Sequence, residues 1–337
     1  MTTHSSSTIV ACRICESTQI PLILDLGKQA LANSLRRDQT DTLPTYPLII
    51  CRCEECGTIQ LTETVAPEIL FMDYVWVTGT SDGAQDYSKV FCDHLVSRCH
   101  DGPLFVIEIA SNDGTFLKRF VEREDRVLGI DPAQNIAAMA QRDGVHTLPE
   151  FFSLEVAASI VEREGEADVV FARNVIPHVE KATDFVAGMA HCLKADAVGA
   201  IEFHRADVIL RELHYDSIYH EHLYFHSLYS IGRLLSRADL IPFDVTMSPI
   251  SGGSFVVYFS KSKRTPTPAF TAAVRAEEVL GTGRLEPWQE FARRCERHRG
   301  MLRSIVEARK AEGKRIIGYG ASARSSTMLN YCGIDNR

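Results

Sequence analysis

The sequence is poor in the features that mark membrane, secreted and nucleic-acid-binding proteins. No apolar run approaches the length of a bilayer span. Lys and Arg (36, against 44 Asp and Glu) form only short runs, which argues against strong sequence-independent nucleic-acid binding. The start, MTTHSSSTIVACR, lacks the charged-then-apolar pattern of a secretory signal, so a cytoplasmic location is expected. Ten cysteines without such a signal point to metal ligands or free thiols rather than a disulfide framework. Glycine is scarce where a dinucleotide site would need three: the loop after the most apolar central strand holds one. What remains is the composition of a soluble globular chain whose 337 residues suggest two or three domains.

The organising stretch is Leu104–Phe120, LFVIEIASNDGTFLKRF. Leu104 to Ile109 is short, apolar and rich in β-branched residues, the pattern of a buried parallel strand. A tight turn of small and polar residues follows, and Thr115–Phe120 restarts a helical pattern. Strand, small-residue turn and helix form a ligand cradle at the carboxyl edge of an open α/β sheet. Val127–Asp131 reads as the next strand, ending in an acid able to accept both ribose hydroxyls of a nucleoside. Glu108 beside the single Gly114 would repel a pyrophosphate but could accept from an ammonium. The cradle therefore favours S-adenosylmethionine (SAM) over NAD, with Glu108, Ala110, Asn112, Gly114, Asp131 and Asn174 as the expected cofactor contacts.

Cys12-Arg-Ile-Cys15 and Cys53-Glu-Glu-Cys56, the second followed by Gly57, are paired C-x2-C knuckles. They predict one four-cysteine zinc site, structural because four thiolates leave no open position, with Cys51 the spare. Gly57 is expected to turn the chain so that backbone N–H groups face the thiolates. Residues 1–8 are expected to be disordered. Asp86–Cys99 has helical spacing. Tyr74–Ser81, with Trp76 at its centre, gathers aromatics and hydroxyls that could form a lid.

Beyond Asp131 the pattern alternates. Helices are expected at Pro132–Asp143, Leu154–Glu164 and Thr183–Leu193, and strands at His146–Leu148, Asp168–Asn174 and Ala197–Phe203, a doubly wound parallel sheet. Asn174 and His178 follow a strand end, where ligands bind. Ser227–Leu240 reads as an amphipathic helix, Pro242–Met247 and Ser254–Ser260 as a closing hairpin, and 269–312 as helical. Lys314–Gly318 reads as a strand entering a Gly turn, as if the sequence broke off inside a second α/β domain.

His214–His226, HYDSIYHEHLYFH, is the densest run of titratable groups. Such a run is costly to bury without partners. It suggests an acid–base centre: His titrates near neutral pH, a carboxylate can orient it, and a Tyr hydroxyl can donate to a developing oxyanion. A metal site on His220 and His222 lacks a clear third ligand.

Taken together, ECGTIQL with the knuckles, EIASNDGTFLKRF, GIDPAQNIA, ADVVFARNVIPHV, YDSIYHEHL, SGGSFVVYF and GYGASARSSTMLNY resemble the SAM-dependent sugar C-methyltransferases of deoxysugar biosynthesis. The resemblance spans nearly the whole chain. It implies a zinc module (1–70), a class I Rossmann-like methyltransferase domain (71–262), and a helical segment with the start of an incomplete C-terminal Rossmann-like domain (263–337). It implies His222 as base with Tyr219 and Glu221 in support, and His178, Trp76 and His220 near a nucleotide-linked, expectedly dTDP-linked, 4-keto sugar. Ser251, Arg324 and Trp76 depart from the family pattern and bear on substrate recognition. No nucleic-acid or membrane partner is expected, and oligomeric state is left open. The alternatives are a SAM-dependent O- or N-methyltransferase, or a non-catalytic zinc-ribbon binding module.

Overall fold

The computed structural model describes residues 6–34, 38, 42–71, 76–320 and 322–335. The chain forms two units: one of Met1–Ala66, Ala206–Ser227 and Glu277–Arg337, the other of Pro67–Arg205 and Leu228–Ala276.

The second unit is built on seven strands: β1 (Phe105–Ile109), β2 (Arg126–Ile130), β3 (Thr147–Leu148), β4 (Ala167–Arg173), β5 (Leu193–His204), β6 (Ile241–Ser248) and β7 (Ser254–Ser260). Their spatial order is β6-β7-β5-β4-β1-β2-β3. β1 to β5 are parallel, and β7 inserts antiparallel between β5 and β6. Every residue of β1 is buried, because it runs between β2 and β4. The strand order reverses between β1 and β4, so ligands are expected beyond their carboxyl ends. This is a doubly wound, Rossmann-like α/β sheet. Phe91, Phe116, Phe120, Phe171, Val198 and Tyr258 belong to one buried cluster against the sheet. Such burial contributes roughly 1.5–3 kcal/mol per large apolar side chain.

The helix expected at Asp86–Cys99 runs instead over Asp82–Val96, because the Ser81 side chain caps it by accepting from the Ala84 N–H. Ser227–Leu240 yields a shorter α-helix, Leu228–Leu235, and then a 3-10 turn.

Among its described residues the first unit has two small antiparallel sheets. Tyr224–Phe225, Ile59–Leu61, Thr45–Arg52 and Leu22–Ala30 form one; Ser6–Thr8 and Glu63–Val65 form the other. The expected disorder of 1–8 is corrected here for residues 6–8. They are ordered by that ladder and by the Thr8 hydroxyl, which donates to buried Glu63 at 2.7 Å. Their exposed, polar sequence concealed an edge strand. The rest of that stretch lies outside the described residues. The helix Leu285–Ala311 precedes a segment, 314–320, that forms no strand. That expectation is also corrected: no ladder partner exists among the described residues, and an unpaired extended segment gains no sheet hydrogen bonds. The helix Ala323–Cys332 follows, capped by Ser322. No helix among the described residues is long and apolar enough to cross a membrane.

Candidate active site and metal centre

The turn after β1 is wound through left-handed backbone at Ala110, Asn112 and Gly114 (φ 57°, 51° and 76°). At Gly114 a side chain would also meet Val145 at 2.8 Å, so glycine is required there on two counts. The turn is pinned from both sides. Asp131, at the end of β2, accepts from the N–H groups of Asn112 (2.9 Å) and Ala133 (3.0 Å). Burial raises its pKa, and those two donors oppose the rise. On the other side, Asn112 accepts from the Thr78 N–H at 2.8 Å and donates to the Trp76 carbonyl at 3.0 Å. Asp113 accepts from the Gly79 N–H at 2.9 Å, in a gap that a Cβ on residue 79 would close to 2.4 Å. The segment from Trp76 to Thr80 is thus hydrogen-bonded onto the cradle. Trp76 itself is 54% exposed; Tyr74 and Val75 lie outside the described residues.

Glu108 is 2% exposed, and its Oε2 has no hydrogen-bond partner among the described residues. Burial pushes its pKa well above the ordinary carboxylate range, with Arg173 opposing. A buried acceptor without a donor is costly, and the ammonium of a methionine moiety would satisfy it. The donor set of the cradle therefore fits SAM. Asn174 has a left-handed backbone (φ 51°), and its N–H donates to the Glu202 carbonyl at 2.8 Å. His178 ends a 3-10 turn one step beyond β4 and is half-buried.

Sequence reasoning missed the charged core beside Glu108. Arg173 and Glu202 face each other in the β4–β5 register and pair at 2.7 Å, both side chains almost fully buried. The Ser248 hydroxyl donates to the other Glu202 oxygen at 2.6 Å, and the Arg173 guanidinium lies 3.2 Å from the Phe116 ring centre. The available signal was an Arg and a Glu near the ends of otherwise apolar strands.

In the first unit the sulfur atoms of Cys12, Cys15, Cys53 and Cys56 all lie within 4.8 Å of one another. Cys12–Cys56 is 3.6 Å and Cys15–Cys53 3.3 Å. Zn–S bonds of about 2.3 Å set tetrahedral sulfur separations near 3.8 Å, so the cluster fits zinc. Donors already face the sulfurs. The Gln60 amide donates to Cys12 Sγ at 3.1 Å and the Ile14 N–H at 3.4 Å, and the Thr58 hydroxyl lies 3.1 Å from Cys56 Sγ. The Cys12 thiol is lowered to about 4, chiefly by its hydrogen bond with Cys56. Gly57 does turn in left-handed backbone, but its N–H donates to the Cys53 carbonyl rather than to a thiolate. Spare Cys51 sits in a strand and is pushed up to about 12 by burial.

The His-rich run, also in the first unit, folds into tight turns. His222 Nδ1 lies 3.0 Å from the Ser217 carbonyl. A carbonyl only accepts, so Nδ1 carries the proton and, in the neutral ring, Nε2 presents its lone pair. The Tyr219 hydroxyl donates to that Nε2 at 3.0 Å, with ring centres 4.1 Å apart. Glu221 is buried, accepts from Asn33 Nδ2 at 2.5 Å, and has its pKa raised by burial. His220 is 2% exposed, donates from Nε2 to the Pro47 carbonyl at 3.1 Å and meets the Tyr46 ring edge-on; burial lowers its pKa.

Three family models match consecutive parts of the chain. Residues 12–71 match a zinc binding domain, 85–241 a methyltransferase domain, and 249–337 the C-methyltransferase C-terminal domain. C-methyltransferase NovU of Streptomyces niveus is 30% identical over 332 residues, 97% of this chain and 79% of that protein. The chain belongs to the SAM-dependent C-methyltransferases with an N-terminal zinc-binding domain. Carbon methylation sets aside the oxygen and nitrogen alternatives and the non-catalytic one. The cofactors are SAM and zinc. Among solved structures, the SAM-bound magnesium protoporphyrin IX methyltransferase of Synechocystis PCC 6803 is 15% identical over 53% of this chain and 80% of its own, TM-score 0.41. A SAM-dependent methyltransferase of Clostridium acetobutylicum is 10% identical over 55% and 94%, TM-score 0.43. Likeness that weak adds nothing to the assignment.

Proposed function

We propose that this C-methyltransferase acts on a nucleotide-linked 4-keto sugar, in its dTDP form, with His222 as the general base. The observation that carries the reading is the ordered imidazole: Nδ1–H on the Ser217 carbonyl, Nε2 lone pair outward toward the Tyr219 hydroxyl. A ketone acidifies the adjacent C–H. His222 Nε2 takes that proton, and the Ser217 carbonyl, already bonded to Nδ1–H, stabilises the imidazolium that results. Tyr219, released from Nε2 by the incoming substrate, donates to the ketone oxygen; that bond strengthens as the enolate forms. SAM, held by the cradle residues, would supply an electrophilic sulfonium methyl group for the enolate carbon, with S-adenosylhomocysteine as the leaving group.

In the same reading Asp131 accepts the ribose hydroxyls, and Glu108 the methionine ammonium. The turn Ala110–Gly114, with Asn174, lines the rest of the cofactor. His178 and Trp76 contact the sugar. Glu221 and His220, both buried on their own partners, support the segment that carries the base.

The test follows deuterium by NMR. The protein is incubated in heavy water with a dTDP-linked 4-keto-6-deoxyhexose and a non-reactive SAM analogue. Wild type should wash deuterium into the carbon beside the ketone, and His222→Asn should not. Equal exchange by both would give the proton transfer to another residue.

A further inference from the structure

The turn that precedes His222 is held on both flanks by one helix. Arg324 and Thr327 stand one turn apart on Ala323–Cys332, on a common face. Arg324 grips the Asp216 carboxylate with both arms of its fork: Nε to Oδ2 at 2.9 Å and Nη2 to Oδ1 at 3.0 Å. Buried Thr327 donates its hydroxyl to the Ile218 carbonyl at 2.8 Å. Between Asp216 and Ile218 lies Ser217, whose carbonyl accepts from His222 Nδ1. A third anchor holds the same turn: the Tyr215 hydroxyl lies 2.8 Å from His298 Nδ1, on the helix Leu285–Ala311.

The ion pair is an unconvincing source of stability. Its side chains are 37% and 28% exposed, and pairs at such exposure contribute little. Its geometry is another matter. A two-armed guanidinium–carboxylate contact fixes orientation as well as distance. Hydrogen bonds on residues 216 and 218 leave the peptide carrying the Ser217 carbonyl little freedom to rotate. That carbonyl in turn decides which ring nitrogen of His222 holds the proton.

We propose that Arg324 and Thr327 are positioning residues: they aim the Ser217 carbonyl at His222 Nδ1 and so keep Nε2 as the unprotonated, basic nitrogen. The inference rests on the reading of His222 as base. Arg324 touches no reacting atom in this scheme. A lysine there could keep the charge but not the fork.

The experiment reads the ring directly and then the chemistry. In full-length protein labelled with 15N-histidine, the His222 signals are identified by their loss in His222→Asn. Wild type should show a single neutral tautomer protonated at Nδ1. Arg324→Ala and Thr327→Val should each populate the Nε2-protonated form, with Arg324→Lys in between. In the deuterium wash-in assay the same variants should slow exchange about tenfold, less than the roughly 10²-fold that gross misplacement of a reacting group brings. SAM affinity should stay within about twofold, because the change would act on orientation rather than on uniform binding. Wild-type tautomer and wild-type exchange in both Arg324→Lys and Thr327→Val would overturn the inference, even if Arg324→Ala fails to fold. Loss of the base role is read separately: His222→Asn that keeps exchanging deuterium defeats that reading whatever the tautomer shows.

Discussion

The two units reach order by different means. The Rossmann-like unit stands on a large apolar cluster beneath a seven-stranded sheet, and its cradle buries Glu108 with an oxygen that has no donor among the described residues. The other unit relies on small sheets, a four-thiol cluster and a set of polar anchors, and its key imidazole has hydrogen-bond partners on both nitrogens. In the proposed reading SAM gives that oxygen its donor, whereas the imidazole is hydrogen-bonded before any ligand arrives. The first should therefore respond to SAM and to pH, and the second to metal and to the loss of single hydrogen bonds.

Removing zinc is the largest expected way to expose this difference. Structural zinc supplies folding free energy outright. Chelation, or Cys53→Ser, should cost several kcal/mol and melt the zinc-bearing unit while the unit around β1 keeps its transition. Calorimetry on the full chain would show the two transitions separate. One transition unchanged by chelator would erase the contrast. A finer version uses Gln60→Leu, which removes only the donor to Cys12 Sγ. Loss of such an outer contact typically weakens metal affinity by about 10–100-fold, measurable by competition with a chelating dye.

His222→Asn comes next. Removal of a general base should cost about 10²–10⁴ in rate, while SAM affinity, which the proposed function assigns to the cradle of the other unit, stays as it was. A parallel loss of SAM binding would mean that the two functions are not separable in this way.

How much of this could be read beforehand follows the same division. β1, its turn and Asp131 were legible because burial imposes β-branched residues, and tight backbone imposes Gly114. The zinc knuckles were legible from spacing alone. Arg173 and Glu202 were not, because their pairing depends on strand register across the sheet. What sets the His222 tautomer was also hidden: the partner is a main-chain carbonyl, which no side-chain pattern reveals. The partner of Glu221, Asn33, is far away in sequence. The strand expected at 314–318 failed for the converse reason: a good local pattern forms no strand without a ladder to join.

Asp131→Ala should weaken SAM binding by roughly 1–3 kcal/mol, the cost of hydrogen bonds to a charged acceptor. The change also releases two backbone N–H groups of the turn. Calorimetric affinity must therefore be read beside the melting temperature: a fall in stability with unchanged affinity would leave Asp131 a structural staple only.

The effect smallest per pH unit is the most specific to the buried carboxylate of the cradle. Burial raises the Glu108 pKa above its ordinary 4.5, so the folded protein without cofactor holds a proton there that the unfolded chain has already released. Stability has the sign of that difference in bound protons. The ligand-free protein should lose stability as pH rises from about 4.5 toward the folded pKa, by at most about 1.4 kcal/mol per unit. Binding of the cofactor ammonium favours the charged carboxylate, so SAM affinity should rise over the same interval, with one proton released. Glu108→Gln removes the titrating group but keeps the shape. It should flatten both slopes while leaving the pH response of the zinc-bearing unit alone. Chemical denaturation and titration calorimetry in buffers of different ionisation enthalpy measure the two. If wild type and Glu108→Gln release the same number of protons on binding SAM, the Glu108 oxygen does not receive the ammonium, and the contrast between a cradle that waits on its ligand's donor and an imidazole already hydrogen-bonded fails at its first term.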